Sequence, residues 1–247
     1  MTQYQTEAIL LAVRNWGEAD KMVTLFSREH GKITAIAYGA RRPKNRLASG
    51  MQPFMHINVS LASGNSLDYI KQYETINTFR ELREKLDLLA YGAFIAELTA
   101  ELCPDRQPEP QIFDLLEGIF KLLSQRNPRV ASLAGAWQLL ALTGFSPHYN
   151  KCTVCCKELV LPAYFSIASG GGVCSECRTP ENFEFSMEVG KFLDNLLNLE
   201  WHNPGHFTVS GATLVETEKL FSCYLRYHID KPLKSISFIR EVMAAGR

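Results

Sequence analysis

The sequence predicts an α+β chain of several parts: a small five-stranded barrel over residues 1–80, then an all-helical domain over 81–247 with a four-cysteine segment inserted at 150–180. Three observations predict it. Short β-rich runs separated by turns fill the first eighty residues, the apolar period lengthens to three or four at Glu81, and five of the seven cysteines fall between Cys152 and Cys177.

In chain order, "TEAILLAVRN" reads as an extended apolar strand, "WGEAD" as a loop, and "KMVTLFS" and "KITAIAY" as two further strands joined by the turn "REHG". A basic loop follows. "FMHINVSLA", the turn "SGNS" and "LDYIKQYETI" supply the last two strands. The turns "EHGK" and "SGNS" suit hairpins because glycine can take positive φ. Five short strands with no intervening long helix are most economically closed into a barrel, since closure removes sheet edges.

From Glu81 the segment "ELREKLDLLAYGAFIAELTAELC" repeats Leu82, Leu86, Leu89, Ala93 and Ala96 at helical steps, and Pro104 ends it. "QIFDLLEGIFKLLSQ", with Pro110 near its start, and "PRVASLAGAWQLLALTG", between Pro128 and Gly144, are the next two helices. Beyond the cysteines, "MEVGKFLDNLLNL", "ATLVETEKLFSCYLRYHI" and "SISFIREVMAA" are three more. There is no internal repeat, low-complexity tract or long heptad register.

With 247 residues, 26 basic and 26 acidic side chains and 46% hydrophobic residues, the composition excludes disordered and collagen-like classes. The N-terminal stretch lacks the charged start and long apolar run of a signal peptide or membrane span, so a cytoplasmic protein is expected. Zero net charge conceals an asymmetry. Residues 1–80 hold ten Lys/Arg against six Asp/Glu, and residues 81–150 six against nine. The first segment is the one suited to a polyanion.

Cys152 and Cys155 are three apart, as are Cys174 and Cys177, with eighteen residues between the pairs. This is the spacing of a four-thiolate zinc site, each pair turning two sulfurs toward one point, with "LPAYFS" as a strand that returns the chain. Four thiolates complete a tetrahedral Zn2+ and leave no position for water, so the ion is expected to be structural. Cys156 would form a looser pair with Cys152, and is expected to be a bystander. Cys103 and Cys223 sit in helical patterns as small core residues. Free thiols are the competing reading of the whole cluster.

Motifs of catalysis are missing. Lys32 in "HGKIT" is followed by Ile33 and lacks a glycine at position 26, there is no Gly-x-Ser-x-Gly elbow or dinucleotide fingerprint, and no histidine is followed two residues later by glutamate. Glu18 and Asp20 read as a solvated acidic pair in a turn. No enzyme and no small-molecule substrate are expected.

The basic loop "GARRPKNR" (39–46) places Arg41, Arg42, Lys44 and Arg46 in eight positions without an acid. Small barrels bind single strands by pairing a cationic groove with aromatic faces. The loop supplies the first; Tyr38, Trp16 in the first turn, and Tyr69 or Tyr73 are candidates for the second. Each aromatic has a barrel-core alternative, favoured for Phe26 and Phe54. The alternative for the charges is a solvated loop.

The ordered set "NWGEADKMVTLFSREHGKITAIAYGARRPKNRL", "QPFMHINVSL", "LDYIKQYETINTFRELREKLDLLAYGAFIAEL", "LLALTGFSPHYNKCTVC" and "FSIASGGGVCSEC" resembles the bacterial RecO family of recombination mediators over nearly the whole chain. The resemblance implies an OB-fold barrel, a helical domain and a zinc-finger segment. It also implies a DNA repair protein of a RecF-type pathway that binds single- and double-stranded DNA and anneals complementary strands. Its implied partners are RecR, the acidic C-terminal tail of single-strand-binding protein and, indirectly, RecA, in a nucleoid-associated setting. The basic loop matches at Gly39, Ala40, Arg41, Arg42 and Lys44, and the zinc motif at its four cysteines; Cys156 departs, standing where glycine is usual. Annealing requires strands to be held by phosphate with their base edges free. The expected DNA contacts are therefore Arg41, Arg42, Lys44 and Arg46 first, with Arg14, Lys21 and Lys32 extending the groove. The rival reading is a zinc-stapled protein-interaction adaptor that does not bind DNA itself.

Overall fold

The computed structural model describes residues 2–47 and 51–245. The strands are β1 (Gln3–Trp16), β2 (Asp20–Ser27), β3 (Gly31–Ala37), β4 (His56–Ala62), β5 (Asp68–Asn77), β6 (Ala163–Ser166), β7 (Gly171–Val173) and β8 (Phe183–Phe185). The helices are α1 (Glu81–Glu84), α2 (Leu86–Leu102), α3 (Pro110–Leu123), α4 (Pro128–Leu142), α5 (Met187–Leu197), α6 (Gly211–His228) and α7 (Lys234–Ala245). Packing groups them into two compact units, one of residues up to Ser132 together with those from Leu233 onward, the other Leu133–Pro232.

In the first unit, β1 to β5 close a barrel in the order β1-β2-β3-β5-β4. Neighbours are antiparallel except β3 and β5, which run parallel through Ala35–Asp68 and Ile36–Tyr69. This is the small five-stranded barrel that the strand count predicts, of the OB type that the resemblance implies. Alternate residues point inward, with Ala8 and Leu10, Val23 and Leu25, Ile33 and Ala35, and Val59 and Leu61 forming its interior. A bulge between Leu10 and Ala12 bends β1, which lets one strand pair with both β2 and β4. Gly31 takes φ +64 at the β2–β3 turn, as expected, whereas Gly64 in the β4–β5 turn does not need a positive φ.

The outer side of β1 is also covered. Ile9 has the outward parity yet is fully buried, because α2 and α3 pack across β1, and Phe26, its cross-strand partner on β2, is fully buried beside it. Phe26 and Phe54 are therefore core residues outside the barrel interior; Phe54 lies 5.3 Å from Phe120 of α3 and against Gly92 of α2. The change of period at residue 80 coincides with the step from β5 to α1, while packing keeps the first helices with the barrel.

The single helix expected over 81–103 is two. Lys85 is extended (φ −111°, ψ 128°) and separates α1 from α2. Arg83 explains the turn: its guanidinium donates to the carbonyls of Pro53 (2.9 Å) and Thr78 (2.7 Å), tying α1 to the barrel before the chain redirects. The buried face of α2 consequently runs through Leu88, Tyr91, Ile95 and Leu98, and Leu86, counted in the sequence stripe, is 56% exposed. Far along the chain, α7 returns to pack on α2, and the Glu97 carboxylate accepts the N–H groups of Lys234 (3.1 Å) and Ser235 (2.8 Å) at its start.

The second unit holds the rest of α4, α5, α6 and a small sheet ordered β7-β6-β8. Its core is aromatic: Trp137 meets Phe221 (5.2 Å) and Tyr224 (5.4 Å), and Tyr224 meets Phe165 of β6 (5.9 Å). Only β6 of this sheet was legible as a strand. Among the described residues no helix is long and apolar enough to cross a membrane.

Candidate nucleic-acid interface and candidate metal centre

The basic loop begins just after the C-terminal end of β3. Ala40 and Leu47 turn inward and join the barrel interior, so the residues between them are pushed outward. Arg41, Arg42, Lys44 and Arg46 are all exposed, and among the described residues none of the four is in an ion pair.

The loop is nevertheless held. Arg42 N–H donates to Gly39 O (2.8 Å) and Asn45 N–H to Arg42 O (3.0 Å). The Asn45 side chain donates to Tyr38 O (3.0 Å) and accepts from Leu47 N–H (2.8 Å). The β1–β2 turn grips the other side: Arg41 N–H donates to Ala19 O (2.9 Å), its guanidinium to Gly17 O (2.9 Å), and Gly39 N–H to the Asp20 carboxylate (2.7 Å). Gly39 has φ +66, a conformation that favours glycine, and a Cβ there would stand 2.4 Å from the Asn45 amide nitrogen, so a larger residue would also displace the side chain that closes the loop. Asp20, read from sequence as solvated, is instead a loop anchor. Nothing in a single acidic residue of a turn announces such a partner nineteen positions away.

Other candidates separate into two groups. Arg14 is exposed on β1, its guanidinium against the Met22 sulfur (2.8 Å), and Lys21 donates to Met51 O (3.0 Å) on the far side of the loop. Lys32 stands at the opposite end of β3, where its ammonium donates to Ala100 O (2.6 Å) and pairs with Asp105 (3.3 Å). It is committed to the helical segment and is not brought to the loop. Tyr38 is 54% exposed and stacks on Tyr69, with centroids 5.4 Å apart and planes 9° from parallel. Trp16 is exposed at the end of β1 rather than in the turn, and Tyr73 packs against the barrel interior.

In the second unit the sulfurs of Cys152, Cys155, Cys174 and Cys177 all lie within 4.8 Å of one another, with Cys155 and Cys174 3.8 Å apart. Zinc–sulfur bonds of about 2.3 Å imply tetrahedral edges of about 3.8 Å, so the set fits such an ion. Burial opposes ionisation of Cys152, but backbone N–H groups of Cys155, Cys174 and Val154 bring its thiol down to about 6. Cys177 is pushed up to about 12 by hydrogen bonding with Cys174 and Cys155, a penalty of crowded sulfurs that a cation removes. The four cysteines can hold a metal ion. Cys156 is exposed, outside the set, and takes φ +61 while its N–H donates to Cys152 O (2.9 Å). The turn forms without glycine, in the conformation that glycine adopts most easily.

Comparison with known proteins matches the chain in two consecutive segments. Residues 1–79 match the family described as Recombination protein O N terminal, and residues 83–236 that described as Recombination protein O C terminal. A DNA repair protein RecO from Pelotomaculum thermopropionicum is 34% identical over 241 residues, 97% of this chain and 94% of the relative. Those from Symbiobacterium thermophilum (33%, covering 99% and 100%) and Bacillus cereus (32%, covering 96% and 97%) are similar along their whole lengths.

Proposed function

The chain belongs to the RecO family of DNA repair proteins, and from that premise we propose that it binds single- and double-stranded DNA through the loop Arg41–Arg46 and anneals complementary strands. One observation carries the reading: four exposed cations without acidic partners, fixed on the rim of an OB-type barrel. Guanidinium and ammonium groups held at phosphate neutralise the repulsion between two strands and release counterions. Because such contacts leave base edges free, the strands can pair while bound.

Arg14 and Lys21 border the loop and extend the surface, whereas Lys32 does not take part. The stacked Tyr38–Tyr69 pair offers one aromatic face beside the cations, a secondary contact, since strong stacking of bases on protein would compete with pairing. No bond is made or broken, so the protein acts as a mediator and not as an enzyme. With RecR, and by contact with the acidic tail of single-strand-binding protein, it assists loading of RecA on covered single strands. The Cys152–Cys155–Cys174–Cys177 centre holds one structural Zn2+, which ties the ends of its segment together.

The test is fluorescence-anisotropy binding of labelled oligonucleotides across a salt series, for the intact protein and for Arg41, Arg42, Lys44 and Arg46 all changed to Ala. The intact protein is expected to bind with a steep salt dependence, and the variant to lose affinity with a slope shallower by about 0.7 to 0.9 for each phosphate contact removed. Equal binding by both proteins would place the DNA surface elsewhere, and no binding by either would favour the adaptor reading.

A further inference from the structure

We propose that Asp20 is a positioning residue for the basic loop: a carboxylate that aims the loop's cations instead of merely weakening their field. A carboxylate beside a surface for a polyanion is unfavourable by simple electrostatics, since it repels phosphate and cancels part of the cationic charge. Its placement here has a structural reason. Asp20 Oδ1 accepts Gly39 N–H at 2.7 Å, a charge-assisted bond made where the loop turns away from β3.

Two neighbouring acceptors act with it. The carbonyls of Ala19 and Gly17 take the backbone and side-chain N–H groups of Arg41, each at 2.9 Å. Residues 17–20 thus grip residues 39–41, and Asn45 closes the loop from within by its bonds to Tyr38 and Leu47. With Ala40 and Leu47 sunk in the barrel, the outward direction of the cations is set from both sides. Loss of this charge-assisted hydrogen bond is expected to raise the population of an open loop by about tenfold or more.

The consequence for DNA rests on the reading above, and the experiment separates the two. Asp20→Asn removes the charge but keeps an acceptor oxygen; Asp20→Ala removes both. Tryptic cutting after Arg41, Lys44 and Arg46 reports loop opening without DNA, because cleavage follows the open population when closing is fast. We expect cutting within the loop to rise about tenfold in Asp20→Ala while the chain stays folded in the absence of urea, and to stay near wild type in Asp20→Asn. We further expect Asp20→Ala to bind single-stranded DNA more weakly, although it has lost a negative charge, and Asp20→Asn to bind at least as tightly as wild type. Asn45→Ala, which leaves the charge untouched, should loosen the loop in the same way. If Asp20→Ala binds DNA more tightly and is cut no faster, Asp20 acts only through its field and the inference is overturned. If cutting rises while DNA binding is unmoved in Asp20→Ala and in the fourfold Ala variant alike, the grip on the loop stands and its role in binding DNA falls.

Discussion

Single residues in this chain are decided by backbone angle and solvation. Cys156 occupies a left-handed position that costs a side-chain-bearing residue about 1–2 kcal/mol, part of which glycine would lose again through its unfolded-state entropy. Cys156→Gly is therefore expected to keep the four-sulfur centre and to stabilise the protein by about 0.5–1 kcal/mol, read from urea midpoints with metal present. A loss of bound metal in that variant would make Cys156 a ligand. His228 shows the same logic for charge. Burial lowers its pKa below 6.5, its ring packs on Tyr224 (4.5 Å) and Phe145 (4.7 Å), and its buried Nε2 finds no hydrogen-bond partner among the described residues. The folded state thus favours neutral imidazole while the unfolded chain takes up a proton near 6.5. The resulting stability is fully present above that pH and is lost as pH falls from there through the folded pKa. Urea midpoints between pH 7.5 and 5.5 should fall less steeply for His228→Phe than for wild type; identical slopes would mean that another group sets the dependence.

At the level of elements, helices α1 and α7 are positioned by groups distant from them in the sequence. Helix α7 starts without a capping side chain of its own, and Glu97 of α2 supplies the acceptor for two of its first N–H groups. Removing such a cap typically costs about 1 kcal/mol, with a share from the helix dipole. Glu97→Ala should therefore speed amide hydrogen exchange across 234–239 while leaving the barrel strands protected, and Glu97→Gln, which keeps an oxygen, should largely restore it. Uniform exchange in both variants would show that α7 is held by its apolar contacts alone. The α1–α2 break has a similar origin: the run from Glu81 is helical by period, but the bonds of Arg83 to Pro53 and Thr78 orient its first turn separately.

For the whole molecule, the cysteine segment belongs to a folded core. Phe165 of β6 joins Phe185 (5.6 Å) and Tyr224 (5.9 Å), so the strand after the first cysteine pair is built into the aromatic cluster around Trp137. If the four sulfurs hold zinc, chelation or Cys174→Ser should release about one ion per chain and weaken the near-ultraviolet dichroism of that cluster, because metal binding and local folding are coupled. Protein purified without metal, with dichroism indifferent to chelator, would return the cysteines to free thiols. An ion with three protein ligands and a water would instead reopen metal-assisted chemistry.

Taken by itself, the sequence determined what depends on local spacing and period. It marked five strands by β-rich runs between turns, the helical runs by steps of three and four, the four metal-competent cysteines by their paired spacing, and the loop by four cations without an acid. It could not determine what depends on residues distant in the chain. Tertiary structure alone decided that Phe26 and Phe54 are buried outside the barrel interior, that Lys32 is tied to Ala100 and Asp105 away from the loop, and that Asp20 grips Gly39. The physical reason is common to all three: hydrogen bonds and side-chain packing act over a few ångströms in space, and only closure of the barrel and docking of its helices bring these partners within that range.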